Sequence, residues 1–157
     1  MLTSGAGSQT IRTNLYAALL AYLKIGMTDL GSKDQGGVLD LSEGARLQQA
    51  NLEVVQSYGT NLLEVVARDA TTGHDVRRML ALAVLDELVG LDRAAGTLRF
   101  ISSQGFLRHL VESLSADQAG LTELLTKPGG NVRFLYVLEA KLGLLVRAAS
   151  HPVGAEL

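Results

Sequence analysis

The stretch ARDATTGHDVRRMLALAVLDELVG, residues 67–90, sets Arg68, Asp69, His74, Asp75, Arg77 and Arg78 within eleven positions and then runs into seven consecutive apolar residues at 79–85. Such a concentration of ionisable groups reads either as the edge of an active site or as a joint between two helices. Thr72 has the chemistry of a helix N-cap. Asp75, three residues later, could reach back to the Thr72 amide and suits the positive end of a helix dipole. His74 and Asp75 are sequence neighbours, so on a helix they point about 100° apart and make no His–Asp pair; Arg77 and Arg78 diverge in the same way. Neither a serine nor a cysteine stands where these groups could activate it. Magnitudes favour the joint. A cap is worth about 1 kcal/mol, whereas burying Met79, Leu80, Leu82, Val84 and Leu85 at about 1.5–3 kcal/mol each sums to an upper bound of roughly 7–15 kcal/mol. These five side chains spread around nearly the whole helix, so the segment 73–91 is expected to be enclosed by several others.

Working outward, the chain is rich in Leu, Ala and Val without alternating strand patterns, and its two prolines are Pro128 and Pro152. The periodicity predicts seven helices, at 10–25, 43–67, 73–91, 93–101, 104–114, from Ser115 onward, and 131–149. The sixth start rests on Ser115 with Gln118 as a capping box, and the seventh on Asn131 as N-cap after KPGGN. Residues 26–42, which include GMTDLGSKDQGG, have the composition of a flexible Gly-rich connector. Short turns between consecutive helices imply antiparallel neighbours, and a helical pair occupies about 40–50 residues, close to the HEAT and armadillo period. The fold class expected is therefore all-α, an α-solenoid of HEAT/armadillo-like antiparallel helical pairs. The repeat is one of shape, without letter-for-letter self-similarity.

The two terminal helices carry apolar residues over a wide arc. The last presents Phe134, Leu135, Val137, Leu138, Leu142, Leu144, Leu145, Val146 and Ala149 over about 200°. The first presents Ile11, Leu15, Tyr16, Leu19, Leu20, Tyr22, Leu23 and Ile25, with Ala17 and Ala21 behind them. A free-standing repeat protein ends in helices with a polar outer face. Residues 1–157 are thus expected to form a single solenoid segment of a larger protein.

Other chemistry finds little support. With 14 basic and 16 acidic residues and a formal charge of −2, the chain offers no bulk attraction for nucleic acid or an anionic membrane. Cysteine is absent, and His74, His109 and His151 lie more than thirty residues apart with no metal-ligand spacing, so no metal site, cofactor site or catalytic residue is assigned. The Gly clusters GAGS and DQGG lack the lysine of a phosphate loop. Lys141, beside Glu139 in YVLEAKLGLLVR, borders the apolar arc, where its stem is expected to lie along the core with its ammonium reaching solvent. The longest apolar run, LYAALLAYL, has nine residues, and MLTSGAGSQT lacks signal-peptide features, so neither a membrane span nor secretion is expected.

Four segments taken in order, IRTNLYAALLAYLKI (11–25), ANLEVVQSYGTNLLEVVARDATTGHDVRRMLALAVLDELVGLD (50–92), FISSQGFLRHLVESLSAD (100–117) and LYVLEAKLGLLVRAA (135–149), resemble the large inner-ring scaffold nucleoporins of the nucleoporin-205/nucleoporin-192 type. The most specific part is 51–92, where SYG, EVVARDATTGH and RMLALAVLD follow one another. The connector at 26–42 departs from the family's pattern in being short and Gly-rich. The resemblance implies an internal fragment of a non-catalytic α-solenoid in the inner ring of the nuclear pore complex, peripheral to the nuclear envelope. It further implies a part in nucleocytoplasmic transport of protein and mRNA. Its partners would be other nucleoporins, namely linkers of the nucleoporin-93 and nucleoporin-35 types, with neither a small-molecule substrate nor nucleic acid. The residues by themselves leave two alternatives open: a HEAT-like adaptor outside the pore, and a helical enzyme subunit, for which they supply no polar cleft.

Overall fold

The computed structural model describes residues 4–25, 41–126 and 132–154. These form seven α-helices, α1 (Ser4–Lys24), α2 (Leu41–Gln56), α3 (Thr60–Thr72), α4 (Asp75–Leu91), α5 (Gly96–Ser103), α6 (Phe106–Thr126) and α7 (Val132–Ser150), with no strand among the described residues. α4 is the axis. It packs against α1, α3 and α7, and more lightly against α2 and α5. Its Leu82, Val84 and Leu85 are fully buried, joined by Ala81, Leu88 and Val89, while Met79 and Leu80 are partly buried against the same core. The apolar run after the charged stretch is therefore enclosed on several sides, as its width requires.

Around α4 the other helices also touch one another, α1 on α2, α3 on α5, α5 on α6 and α6 on α7. A stack of packed helices with no strand among the described residues is consistent with the α-solenoid expected for the chain.

The ends of the helices depart from the expected positions in several places: α1 begins at Ser4 rather than at residue 10, and α5 and α6 begin at Gly96 and Phe106 rather than at 93 and 104. The segment expected to be one helix over 43–67 is two, because Gly59 adopts φ 69°, a left-handed conformation that breaks the helical path, and the amides of Ser57, Tyr58 and Gly59, just past α2, donate to the Glu53, Val55 and Gln56 carbonyls. Residues 41 and 42, expected in the connector, already belong to α2; residues 26–40 lie outside the described residues. Thr72 is not the cap of α4 but the last residue of α3, its Oγ1 donating to the Arg68 carbonyl at 2.9 Å, and His74 takes the N-cap position without a side-chain cap bond. Asp75 is consequently the first residue of α4 rather than its third. Finally, Ser115 starts no helix. It lies inside α6, because LSA around it contains no Gly or Pro to break the ladder. Residue 131, read as an N-cap, lies outside the described residues, and α7 begins at Val132.

Candidate interaction surface

The charged stretch does not assemble a reactive centre. His74 is exposed, and Asp75 meets Arg78 only at 4.0 Å, a half-buried contact too long to hold the two charges firmly. His109 is exposed on α6, and His151, just past α7, accepts from the Val153 amide through Nδ1 at 3.2 Å. No group of three metal-ligating side chains occurs among the described residues.

Polar side chains, some of them buried, tie one helix to another or close a turn. Asp69 on α3 is 3% exposed and accepts from the Tyr16 hydroxyl at 2.8 Å and from Arg12 Nη1 at 3.1 and 3.2 Å, which fastens α1 to α3. Burial, reinforced by the hydrogen bond to Asp69 and by its negative charge, pushes the Tyr16 phenol up from its ordinary range. Asp92 accepts from the Thr97 amide at 2.7 Å and the Thr97 hydroxyl at 3.0 Å, closing the turn between α4 and α5 and filling a donor the α5 terminus leaves free. Arg147 on α7 grips Asp86 on α4 with two nitrogens, at 2.6 and 2.9 Å, and that bond raises the guanidinium pKa above its usual range. Lys24 on α1 reaches Glu87 on α4 at 3.4 Å.

Lys141 overturns the expectation of an ammonium in solvent. It is 2% exposed, and its Nζ donates to Asp117 Oδ2 at 2.6 Å and to Ser113 Oγ at 2.9 Å, both on α6. The reason is spacing. Val137, Lys141, Leu144 and Ala148 share the buried face of α7, so Lys141 enters the α6–α7 seam between apolar neighbours and finds its partners there. Neither the tie to Asp117 nor that between Tyr16 and Asp69 could be read from local spacing, since their partners stand 24 and 53 residues away.

Clefts open between helices, two of them lined by described residues. One, of about 260 Å³, is lined by Val55, Leu62, Leu63, Leu88 and Phe100, and the carboxylate at its rim, Asp92, is committed to Thr97. The other, of about 860 Å³, lies where the α5–α6 turn faces the end of α7, with Leu107, Arg108, Glu112 and Leu145 on its walls. Neither holds a nucleophile beside a base or a convergent set of perturbed groups, so their chemistry is that of packing surfaces. The same holds for the outer sides of the helices. Ile11 and Leu15 on α1 are 62% and 60% exposed, Val146 on α7 64%, and Leu125 on α6 84%. Tyr58, Leu142 and Tyr136 are exposed as well. Apolar surface of this extent is of the kind other protein surfaces cover.

Comparison with known proteins points the same way. The chain is 38% identical over 164 aligned residues to the nuclear pore complex protein Nup205 of Homo sapiens and 35% identical to that of Drosophila melanogaster, with 99% and 100% of the chain covered. It is 30% identical to NUP205 of Arabidopsis thaliana over 94% of its length. The chain spans only 8–9% of the length of these curated relatives. Residues 1–157 match throughout the family described as nuclear pore complex scaffold, nucleoporins 186/192/205. Matched over its whole length, the chain belongs to this family of scaffold nucleoporins.

Proposed function

We propose that residues 1–157 serve as a non-catalytic structural segment of an inner-ring scaffold nucleoporin at the nuclear envelope, supporting the binding of linker nucleoporins and, through the assembled pore, nucleocytoplasmic transport. The observation that carries this reading is the family match over the whole chain, together with helices whose outer sides stay apolar after the core is complete. A scaffold works by shape, and the polar groups here hold that shape: Asp69, Asp92, Asp86 and Asp117 each join two helices or close a turn. The linkers are of the nucleoporin-93 and nucleoporin-35 types, and recognition of short helical or extended segments in apolar grooves is the mode such a surface suits.

The test uses the full-length protein. Tagged at its natural level, it should mark the nuclear rim, and affinity capture should recover scaffold and linker nucleoporins. Recovery of no nucleoporin, with the tag elsewhere in the cell, would replace this reading with that of a helical adaptor outside the pore.

A further inference from the structure

Adjacent positions on a helix diverge at the backbone, yet long side chains lean toward the helix N-terminus, and Arg77 and Arg78 both lie back over Gly73 at the α3–α4 joint. A Cβ built at Gly73 would stand 2.9 Å from Arg77 Nε and 3.2 Å from Arg78 Cγ, besides meeting the Asp69 carbonyl, so glycine there leaves the space both side chains use. Each Nε is buried and finds no acceptor among the described residues, an arrangement that costs about 1–3 kcal/mol for each unpaired N–H. Opposite charge is scarce beside them. Asp69 is taken by Arg12 and Tyr16, and Asp75 stands 4.0 Å from Arg78. Arg77 pairs with no carboxylate among the described residues, and its charge acts on the Tyr16 phenol as that of Arg12 does. The joint thus gathers Arg12, Arg77 and Arg78 against two carboxylates, of which one is buried and spent.

We propose that this joint is a docking surface for an acidic segment of a partner protein, whose carboxylates pair with Arg77 and Arg78 while an apolar side chain rests on Val76 between them and Asp75. The planar guanidinium fork matches a carboxylate with two parallel bonds, and a buried Nε is one half of that fork already free of water. The surface is reachable. The Arg12 and Arg78 side chains keep 39% and 26% of their surface in water, and Val76 is 39% exposed. A nucleic acid or an anionic membrane brings negative charge over a wide area, which the chain's formal charge of −2 and Asp75 at the rim oppose. A protein segment brings one or two carboxylates and apolar contact together. The proposal goes beyond the scaffold reading, which names no residue that meets a partner, and rests on it only in taking the partner to be a protein.

The test uses the full-length protein and, as probe, a short peptide of alternating glutamate and leucine. Hydroxyphenylglyoxal modifies reachable arginines, and peptide mapping reads the rate at each. With the probe at about four times its dissociation constant, modification at Arg77 and Arg78 should slow about fivefold and recover in strong salt, while Arg93, exposed just past α4, keeps its rate. In an Arg77→Gln variant the probe concentration that half-protects Arg78 should rise about tenfold, and in Arg93→Gln it should not change. The measurement on the unsubstituted protein decides the matter if a variant fails to fold. Protection no greater at Arg77 and Arg78 than at Arg93 overturns the proposal, as does equal protection by a peptide of lysine and leucine. Arginines that resist modification before any probe is added overturn it too, since the surface would then be covered. So does protection by inorganic phosphate, an RNA oligonucleotide or phosphatidylserine vesicles but not by the peptide, which assigns the arginines to an anion of another class. Localisation and capture, which judge the scaffold reading, are independent of each of these outcomes.

Discussion

Replacing Asp117 and Lys141 one at a time should have very different consequences, although the two side chains make a single contact. The ammonium is 2% exposed and held at 2.6 Å, while the Asp117 side chain keeps 14% of its surface in water. At an effective dielectric constant of about 20 the attraction at this distance is roughly 6 kcal/mol, and removing the two groups from water costs several kcal/mol for each ion, so the pair as a whole is close to neutral. Asp117→Ala leaves the buried ammonium with Ser113 alone, a loss of about 3–5 kcal/mol. Lys141→Met keeps the volume and removes the buried charge, and the freed carboxylate turns to solvent, so the change should stay within about 1 kcal/mol. The double variant should behave like Lys141→Met. For a chain of this size each kcal/mol moves the melting temperature by about 2–4 °C, which places Asp117→Ala roughly 6–20 °C below the parent and Lys141→Met within a few degrees of it. Thermal melts followed by circular dichroism, with urea titrations to check the ranking, measure both. Equal losses for the two single variants, or a double variant no better than Asp117→Ala, would refute the claim that a stranded charge dominates.

Three further outcomes follow from other contacts. Tyr16→Phe should lower stability by about 1 kcal/mol at neutral pH through the lost bond to Asp69. Because the folded-state phenol titrates above its ordinary value of 10.0, its contribution is complete below that pH and declines as pH rises beyond it; urea titrations from pH 8 to 11 should show a shallower alkaline decline in the variant. Leu82→Asp puts a carboxylate where the leucine is 0% exposed and should unfold or aggregate the chain; a monomeric, fully helical variant with unchanged melting by size exclusion and circular dichroism would contradict the enclosure of α4. Asp92→Ala should cost about 0.5–2 kcal/mol and speed hydrogen exchange first at the Thr97 amide, and uniform exchange across α5 would argue against a capping role.

The sequence discloses most where burial is wide. The apolar arcs of α1, α4 and α7 were legible because each is set by the chain's own periodicity, and the charged stretch at 67–78 was legible as a joint because adjacent residues on a helix cannot converge. Helix ends were less so. Thr72 looks like a cap, yet its hydroxyl found the Arg68 carbonyl one turn back, an equally available local acceptor. Gly59 looks tolerable inside a helix until its φ is known, and Ser115 with Gln118 has the letters of a capping box inside an unbroken helix. In each case a local motif admits two outcomes of similar energy, and packing between distant segments decides. The ties between Tyr16 and Asp69 and between Lys141 and Asp117 are wholly of that second kind.

Positions 141 and 142 bring these points together. Lys141 is enclosed and its neighbour Leu142 is 44% exposed, the reverse of what water alone would select. Lysine is rarely buried without a reason, and here the reason is geometric: its donor reaches two acceptors on α6, which fixes the spacing of that helix against α7 in a way that interchangeable apolar contacts would not. A leucine facing water needs the opposite explanation, since alone it is unremarkable, but it stands in line with Leu135, Val146 and Ala149 on the same face. A charge turned inward to set the angle of α7, and an apolar stripe turned outward at that angle, are compatible demands on one helix. In a scaffold, whose function is the placement of surfaces, the Lys141–Asp117 tie matters for the α6–α7 seam it fastens, because a bond with two defined acceptors fixes how the two helices meet.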